Sequence, residues 1–191
     1  MRVMFLDFDG VLNTDRHQAY LHRQGLPTSD EFGAVFDPDA VASLRAITDT
    51  VPDLKIVIES SWKVLGLNAM RRMWKTRGLP GEVYDITPHI DNDELLLSVD
   101  LDDPDAFSKL EGLGKGGEIQ AWLDAHKEEV EEYVILDDVD VFRGDLKEHL
   151  IITDPREGIT LDKAQVAIRR LGGGSECQRK SGNGQDSILT M

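Results

Sequence analysis

The feature that most constrains this 191-residue chain is a set of three short apolar runs, each broken off by polar residues. Val3 to Leu6 stops at Asp7, Leu54 to Ile58 stops at Glu59-Ser60-Ser61, and Tyr133 to Leu136 stops at Asp137-Asp138. Runs this short, without polar alternation, read as strands buried on both faces, which is the habit of a parallel sheet. Leu150 to Thr153 reads as a fourth strand and Val83 to Ile86 as a further candidate. Helical patterns fall between them. Asp37-Pro38 supplies an N-cap and a first-turn proline ahead of Val41, Leu44 and Ile47. Val64 to Arg77 is stopped by Gly78, Glu118 to His126 turns Ile119, Trp122 and Leu123 inward, and Thr160 to Leu171 closes the series. Strands alternating with helices imply βαβ crossovers, hence an α/β fold with a doubly wound, mainly parallel sheet and helices on both faces. One domain over 1–171 is expected, with 82–114 an acidic insertion and the Gly/Ser/Gln-rich 172–191 a disordered tail.

Composition narrows the function. With 21 Lys+Arg against 36 Asp+Glu, the formal net charge is −15, which argues against nucleic-acid binding through bulk charge. No apolar run approaches the ~20 residues that span a bilayer, so no membrane role is expected. A single cysteine, Cys177, suits a reducing compartment, and a cytoplasmic location is expected. The five histidines show no zinc-site spacing.

The polar residues at the strand ends carry the chemistry. Ligands of open α/β sheets bind at the carboxyl ends of the strands. If these strands lie side by side, Asp7, Asp9, Asp137 and Asp138 converge there. Carboxylates so close raise one another's pKa and call for a cation, and a small set of hard oxygen ligands suits Mg²⁺. The acidic loop is no EF-hand, because Leu12 and Gln18 occupy the places of its glycine and glutamate.

Asp7-Phe8-Asp9-Gly10-Val11-Leu12 after an apolar strand resembles motif I of the haloacid dehalogenase-like (HAD) hydrolase superfamily. Ile56-Val57-Ile58-Glu59-Ser60 resembles its motif II, Lys115 ahead of a helix its motif III, and Val134-Ile135-Leu136-Asp137-Asp138 its acidic motif IV. The strings Ser60-Ser61-Trp62-Lys63 and Gly158-Ile159-Thr160 are similar to the HAD domains of RNA-repair proteins. The resemblance implies a Rossmann-like core and a Mg²⁺-dependent phosphomonoester phosphatase. In it Asp7 is the nucleophile that forms an aspartyl-phosphate, and Asp9 is the general acid and base. Ser60 binds a phosphoryl oxygen, and Lys115 neutralises charge in the transition state. Asp7, Asp9 (through its backbone carbonyl), Asp137 and Asp138 would hold the metal.

Each assignment has a plainer rival: Ser60 and Ser61 as helix caps, Lys115 as a solvated helix-start residue, Asp138 as an outer neighbour of the metal. Glu59 departs from the usual apolar residue of motif II and leaves open which serine faces the site. The stretch from Ser60 to Gly81 has no acidic residue. Its Lys63, Arg71 and Arg72, with Ser61, are candidates for binding a phosphorylated small molecule or nucleic-acid end, or else form a solvated face. Trp62 and Trp74 are candidates for core packing or for stacking on a base. The intervals between motifs are short for a full cap domain, so an open site is expected. Alternative functions are a 3′ or 5′ nucleic-acid-end phosphatase in a repair context, and a non-catalytic phosphate- or partner-binding module.

Overall fold

The computed structural model describes residues 1–91 and 114–172. The greater part of the expected acidic insertion (92–113), the tail beyond Gly172, and Cys177 lie outside the described residues. Among the described residues no helix is long and apolar enough to cross a membrane.

Five parallel strands form one sheet in the order β5-β4-β1-β6-β7: β1 (Arg2–Leu6), β4 (Leu54–Ile58), β5 (Glu82–Ile86), β6 (Glu132–Asp137) and β7 (Leu150–Ile152). The apolar strands alternate into two separate cores. Met4 and Leu6, Ile56 and Ile58, and Val134 and Leu136 face one side. There they meet α2 (Pro38–Thr50), α3 (Leu67–Thr76) and α6 (Leu161–Arg170) through Leu44, Ile47, Met70, Met73, Trp74 and Ile168. Val3, Phe5, Val57 and Ile135 face the other side, against Ile119 and Trp122 of α4 (Gly114–Ala125) and Leu146 of α5 (Gly144–His149). A sheet covered on both faces needs strands that are apolar on both sides, and residues 3–6, 56–58 and 134–136 supply such unbroken runs at the centre of the sheet. The result is the expected α/β, doubly wound, Rossmann-like arrangement, with the central strand β1 buried from both sides.

Several boundaries differ from the sequence pattern. The expected helix over Val64 to Arg77 is two pieces, a 3₁₀ turn (Ser61–Leu65) and α3, because Gly66 (φ 84°) leaves helical backbone between them. Helix α4 starts at Gly114 instead of Glu118, which brings Lys115 into its first turn. Between β1 and α2 lie two elements that the pattern did not signal. One is α1 (Asp15–Gln24), a polar helix with Leu21 as its buried residue; the other is the hairpin β2 (Ser29–Asp30)–β3 (Gly33–Ala34). The N-cap at Asp37, whose carboxylate accepts from Asp39 N, and the proline after it stand as expected.

Candidate active site

Register brings the polar strand ends to one level. Leu6 pairs with Ile58 on one side and with Leu136 on the other, so the next residues, Asp7, Glu59 and Asp137, emerge together at the carboxyl edge. The ladder continues one step past the apolar runs: Asp7 N donates to Leu136 O (3.1 Å), Glu59 N to Leu6 O (2.9 Å) and Thr153 N to Asp137 O (2.8 Å). This pairing holds the backbone beneath the carboxylates rigid. Asp7, Glu59, Ser60 and Asp137 are all buried, an arrangement that burial rules permit only for groups with strong partners or a task.

Lys115 is the common partner of the three carboxyl groups. Its Nζ lies 2.5 Å from Asp7 Oδ2, 2.8 Å from Asp137 Oδ2 and 3.5 Å from Glu59 Oε2. Asp7 Oδ1 accepts from Phe8 N (2.7 Å), which fixes the plane of its carboxylate. Oxygens of Asp7, Asp137 and Asp138 all lie within 4.8 Å of one another. Asp138 approaches over Gly10, where a Cβ would stand 2.3 Å from Asp138 Oδ2, so no larger residue fits beneath that carboxylate.

The electrostatics follow from crowding. Burial pushes the Asp137 carboxyl above the usual range against the pull of Lys115. Burial and then the charge of Asp7 raise Asp138. Burial works against the Lys115 ammonium, but Glu59, Asp7 and Asp137 outweigh it and hold the group above the ordinary lysine value. Glu59 is raised to about 9, by burial first and with Lys115 opposing. It is therefore a neutral carboxylic acid at pH 7, and Asp7, Asp137 and Asp138 face the single ammonium of Lys115. Three carboxylates around one lysine, all oxygen donors at close range, form a donor set that fits Mg²⁺.

The other expected site residues divide. Ser60 precedes the 3₁₀ turn but makes no capping bond, and its Oγ is buried without a hydrogen-bond partner among the described residues. Ser61 is exposed as the first residue of that turn. The side chain of Asp9 is exposed and turned away from the three clustered carboxylates: Oδ1 accepts from Asn13 Nδ2 (2.7 Å) and Oδ2 from Trp62 Nε1 (3.0 Å).

Lys63 lines the cleft beside the cluster, but its ammonium is spent on Thr87 Oγ1 (2.5 Å) and Glu118. Arg71 donates to the Val83 and Tyr84 carbonyls and lies beside Gly81 and Glu82, at the opposite, amino-terminal end of β5. Arg72 is exposed with its guanidinium 5.7 Å from the Phe32 ring. Of the expected basic face, these three cations thus answer an acid, local carbonyls and a ring. Trp74 is a core residue whose Nε1 donates to Pro80 O. Asp140 pairs with Lys147 on the surface.

Glu59, Asn13 and Trp62 are contributors that sequence reasoning did not assign. The available signals were the charge of Glu59 at the end of an apolar strand and the place of Trp62 in the Ser60-Ser61-Trp62-Lys63 string.

The cleft along this edge, about 800 Å³, runs from Glu59, Ser60 and Lys115 past Ile86 and Pro88 to Trp122. Compared with known proteins, residues 3–164 match the family model of the HAD domain in Swiss Army Knife RNA repair proteins. No curated protein is detectably similar to the chain. Among solved structures it is similar to a probable YrbI family phosphatase from Pseudomonas syringae. Identity is 14%, TM-score 0.37, and the match covers 96% of this chain and 93% of that one.

Proposed function

Because the chain belongs to the family of HAD domains found in RNA-repair proteins, we propose that it is a Mg²⁺-dependent phosphomonoester phosphatase working through an aspartyl-phosphate on Asp7. The observation that carries this reading is the single ammonium of Lys115 bridging Asp7 and Asp137, with Asp138 beside them. Asp7, Asp137 and Asp138 would hold the ion, which supplies charge neutralisation and a template for the phosphoryl group when bound.

The chain's own residues supply the rest. Asp7, its carboxylate fixed by Phe8 N and Lys115, attacks phosphorus; the Asp7–phosphorus bond forms as the bond to the leaving oxygen breaks. Asp9 gives the leaving oxygen its proton. It then takes one from the water that attacks the phospho-aspartate, releasing phosphate and restoring both carboxyl groups. Ser60 Oγ, buried and unpartnered, donates to a phosphoryl oxygen. Lys115 offsets negative charge as it spreads over those oxygens in a loose transition state. Glu59, neutral at pH 7, adds no further repulsion to an incoming anion.

The second reading, a phosphorylated nucleic-acid end as substrate, is favoured by the family's occurrence in RNA-repair proteins. A non-catalytic module would not need Asp7, Asp9, Ser60 and Lys115 together. The test is turnover of p-nitrophenyl phosphate and of 3′- and 5′-phosphorylated oligonucleotides, with Mg²⁺ and with EDTA. Metal-dependent release of phosphate that falls at least about 10³-fold in Asp7→Asn is expected. Undiminished turnover in that variant, or none by the wild type on any of these substrates, would overturn the phosphatase reading.

A further inference from the structure

Asp9 differs from every other carboxylate of the site. It is exposed, it lies outside the Lys115 cluster, and yet both its oxygens are engaged by side chains. An exposed aspartate ordinarily keeps its rotamer freedom, and holding it costs conformational entropy. Here the two donors approach from different parts of the fold. Asn13 lies four residues on in the same loop, and Trp62 stands on the 3₁₀ turn that follows β4.

Both donors are themselves held. Asn13 Oδ1 accepts from Gln18 Nε2 (2.8 Å), which also donates to Val35 O (2.9 Å), so the amide presents Nδ2 to Asp9. The Trp62 ring stands edge-on to Phe8 (5.5 Å, 88°) and lies 5.8 Å from Phe36, with the Arg77 guanidinium 5.7 Å away. Gly33, on the hairpin, leaves just enough room behind it: a Cβ there would stand 2.7 Å from the indole. An indole N–H and an amide NH₂ can only donate, so their roles toward the carboxyl group are fixed. Each carboxyl oxygen keeps a second lone pair for a proton in transit.

We propose that Trp62 and Asn13 are positioning residues for Asp9, clamping its carboxyl group where it exchanges protons with the leaving oxygen and the attacking water. The assignment rests on the phosphatase reading above. Packing alone does not require the indole nitrogen, because a phenyl ring would serve Phe8 and Phe36 as well.

The test uses the full chain with Mg²⁺ and phosphate esters of graded leaving groups, from p-nitrophenyl phosphate to a simple alkyl phosphate. Proton donation matters most for the poor leaving group, where it is worth about 10²–10⁴-fold. Trp62→Phe and Asn13→Ala are each expected to lower kcat on the alkyl phosphate by about tenfold, a fraction of that range. KM on the alkyl phosphate should not move, and kcat/KM on p-nitrophenyl phosphate, which reports only the step that expels the leaving group, should stay within about twofold, since that leaving group needs little protonation. Placed on Asp9→Asn, Trp62→Phe should cause no further loss, because residues acting through one group are not additive.

Equal losses of kcat/KM on all leaving groups, or a full further loss on Asp9→Asn, would overturn the clamp while leaving the phosphatase standing. A wild type inactive on every ester would overturn both. Should Trp62→Phe fail to fold by circular dichroism, Asn13→Ala carries the same test from the other oxygen.

Discussion

Two partly buried lysines at the carboxyl edge of the sheet pair with carboxylates, and they differ in what surrounds them. Among the described residues Lys63 forms an ion pair with one acid, Glu118, and the pair is balanced; Thr87 Oγ1, Ile90 N and the His89 ring also contact the pair. Lys115 faces Asp7 and Asp137 directly, with Asp138 alongside, and the balance stays negative even with Glu59 neutral. A balanced buried pair is complete and has no call on a further ligand. An unbalanced one keeps a surplus of carboxyl groups, with Asp137 and Asp138 raised by burial first and by the charge of Asp7 after it, and on the proposed reading it receives a cation and a phosphate. On the proposed reading, ion pairing does not distinguish Lys115 from Lys63; the surplus of carboxyl groups around Lys115 does.

The comparison can be broken most forcefully at Lys115. Lys115→Met is expected to lower kcat on p-nitrophenyl phosphate by about 10²–10³-fold, the scale of losing one preorganised charge at a transition state. A loss of less than threefold would place this lysine beside Lys63 as a structural residue.

At Lys63 the effect should move from activity to stability. Both side chains of the Lys63–Glu118 pair are about one-tenth exposed, so Lys63→Met leaves a buried charge unmatched. That should cost about 3–5 kcal/mol in urea unfolding, with kcat per folded molecule nearly unchanged. Lys63→Met/Glu118→Leu should recover most of it. A fall in kcat with stability intact would reverse the assignment.

Glu59 offers a subtler test. Its carboxyl is raised from the ordinary 4.5 to about 9 by burial, so over that range the folded protein holds a proton that the unfolded chain has released. The stability this group contributes is fully present below pH 4.5 and is lost as pH rises toward 9. In metal-free buffer, Glu59→Gln should remove that decline and stand above the wild type at pH 8. Parallel pH–stability curves for the two proteins would show Glu59 ionised at neutrality.

The smallest effect is expected at Arg71, bonded to β5 carbonyls, and Arg72, exposed beside Phe32. Arg71→Ala/Arg72→Ala should change kcat/KM for a phosphorylated oligonucleotide by less than about twofold, as for surface residues away from the chemistry. A larger loss that vanishes at high salt would restore the expected steering of an anionic substrate.

Local signals carried much of this fold because they act over a few residues. Continuous apolar runs name the buried strands, and Asp37-Pro38 starts α2 through an N-cap bond that needs no distant partner. The acidic strand ends announced Asp7, Asp137 and Asp138 for the same reason. Helix α1 escaped notice because with Leu21 as its buried residue it has no apolar stripe, although Thr14 and Gly25 cap its ends.

Tertiary structure alone decided the rest. In-register pairing of β1 with β4 and β6 set Glu59 level with Asp7 and made it a neutral acid. The first turn of α4 carried Lys115 into the carboxylates. Packing sent Arg71 to the far edge, Lys63 to Glu118, and Asp9 to Asn13 and Trp62. A residue's type declares what charge or proton it can offer. Its partners are chosen by strand register and helix docking, which join positions tens of residues apart and leave no local trace.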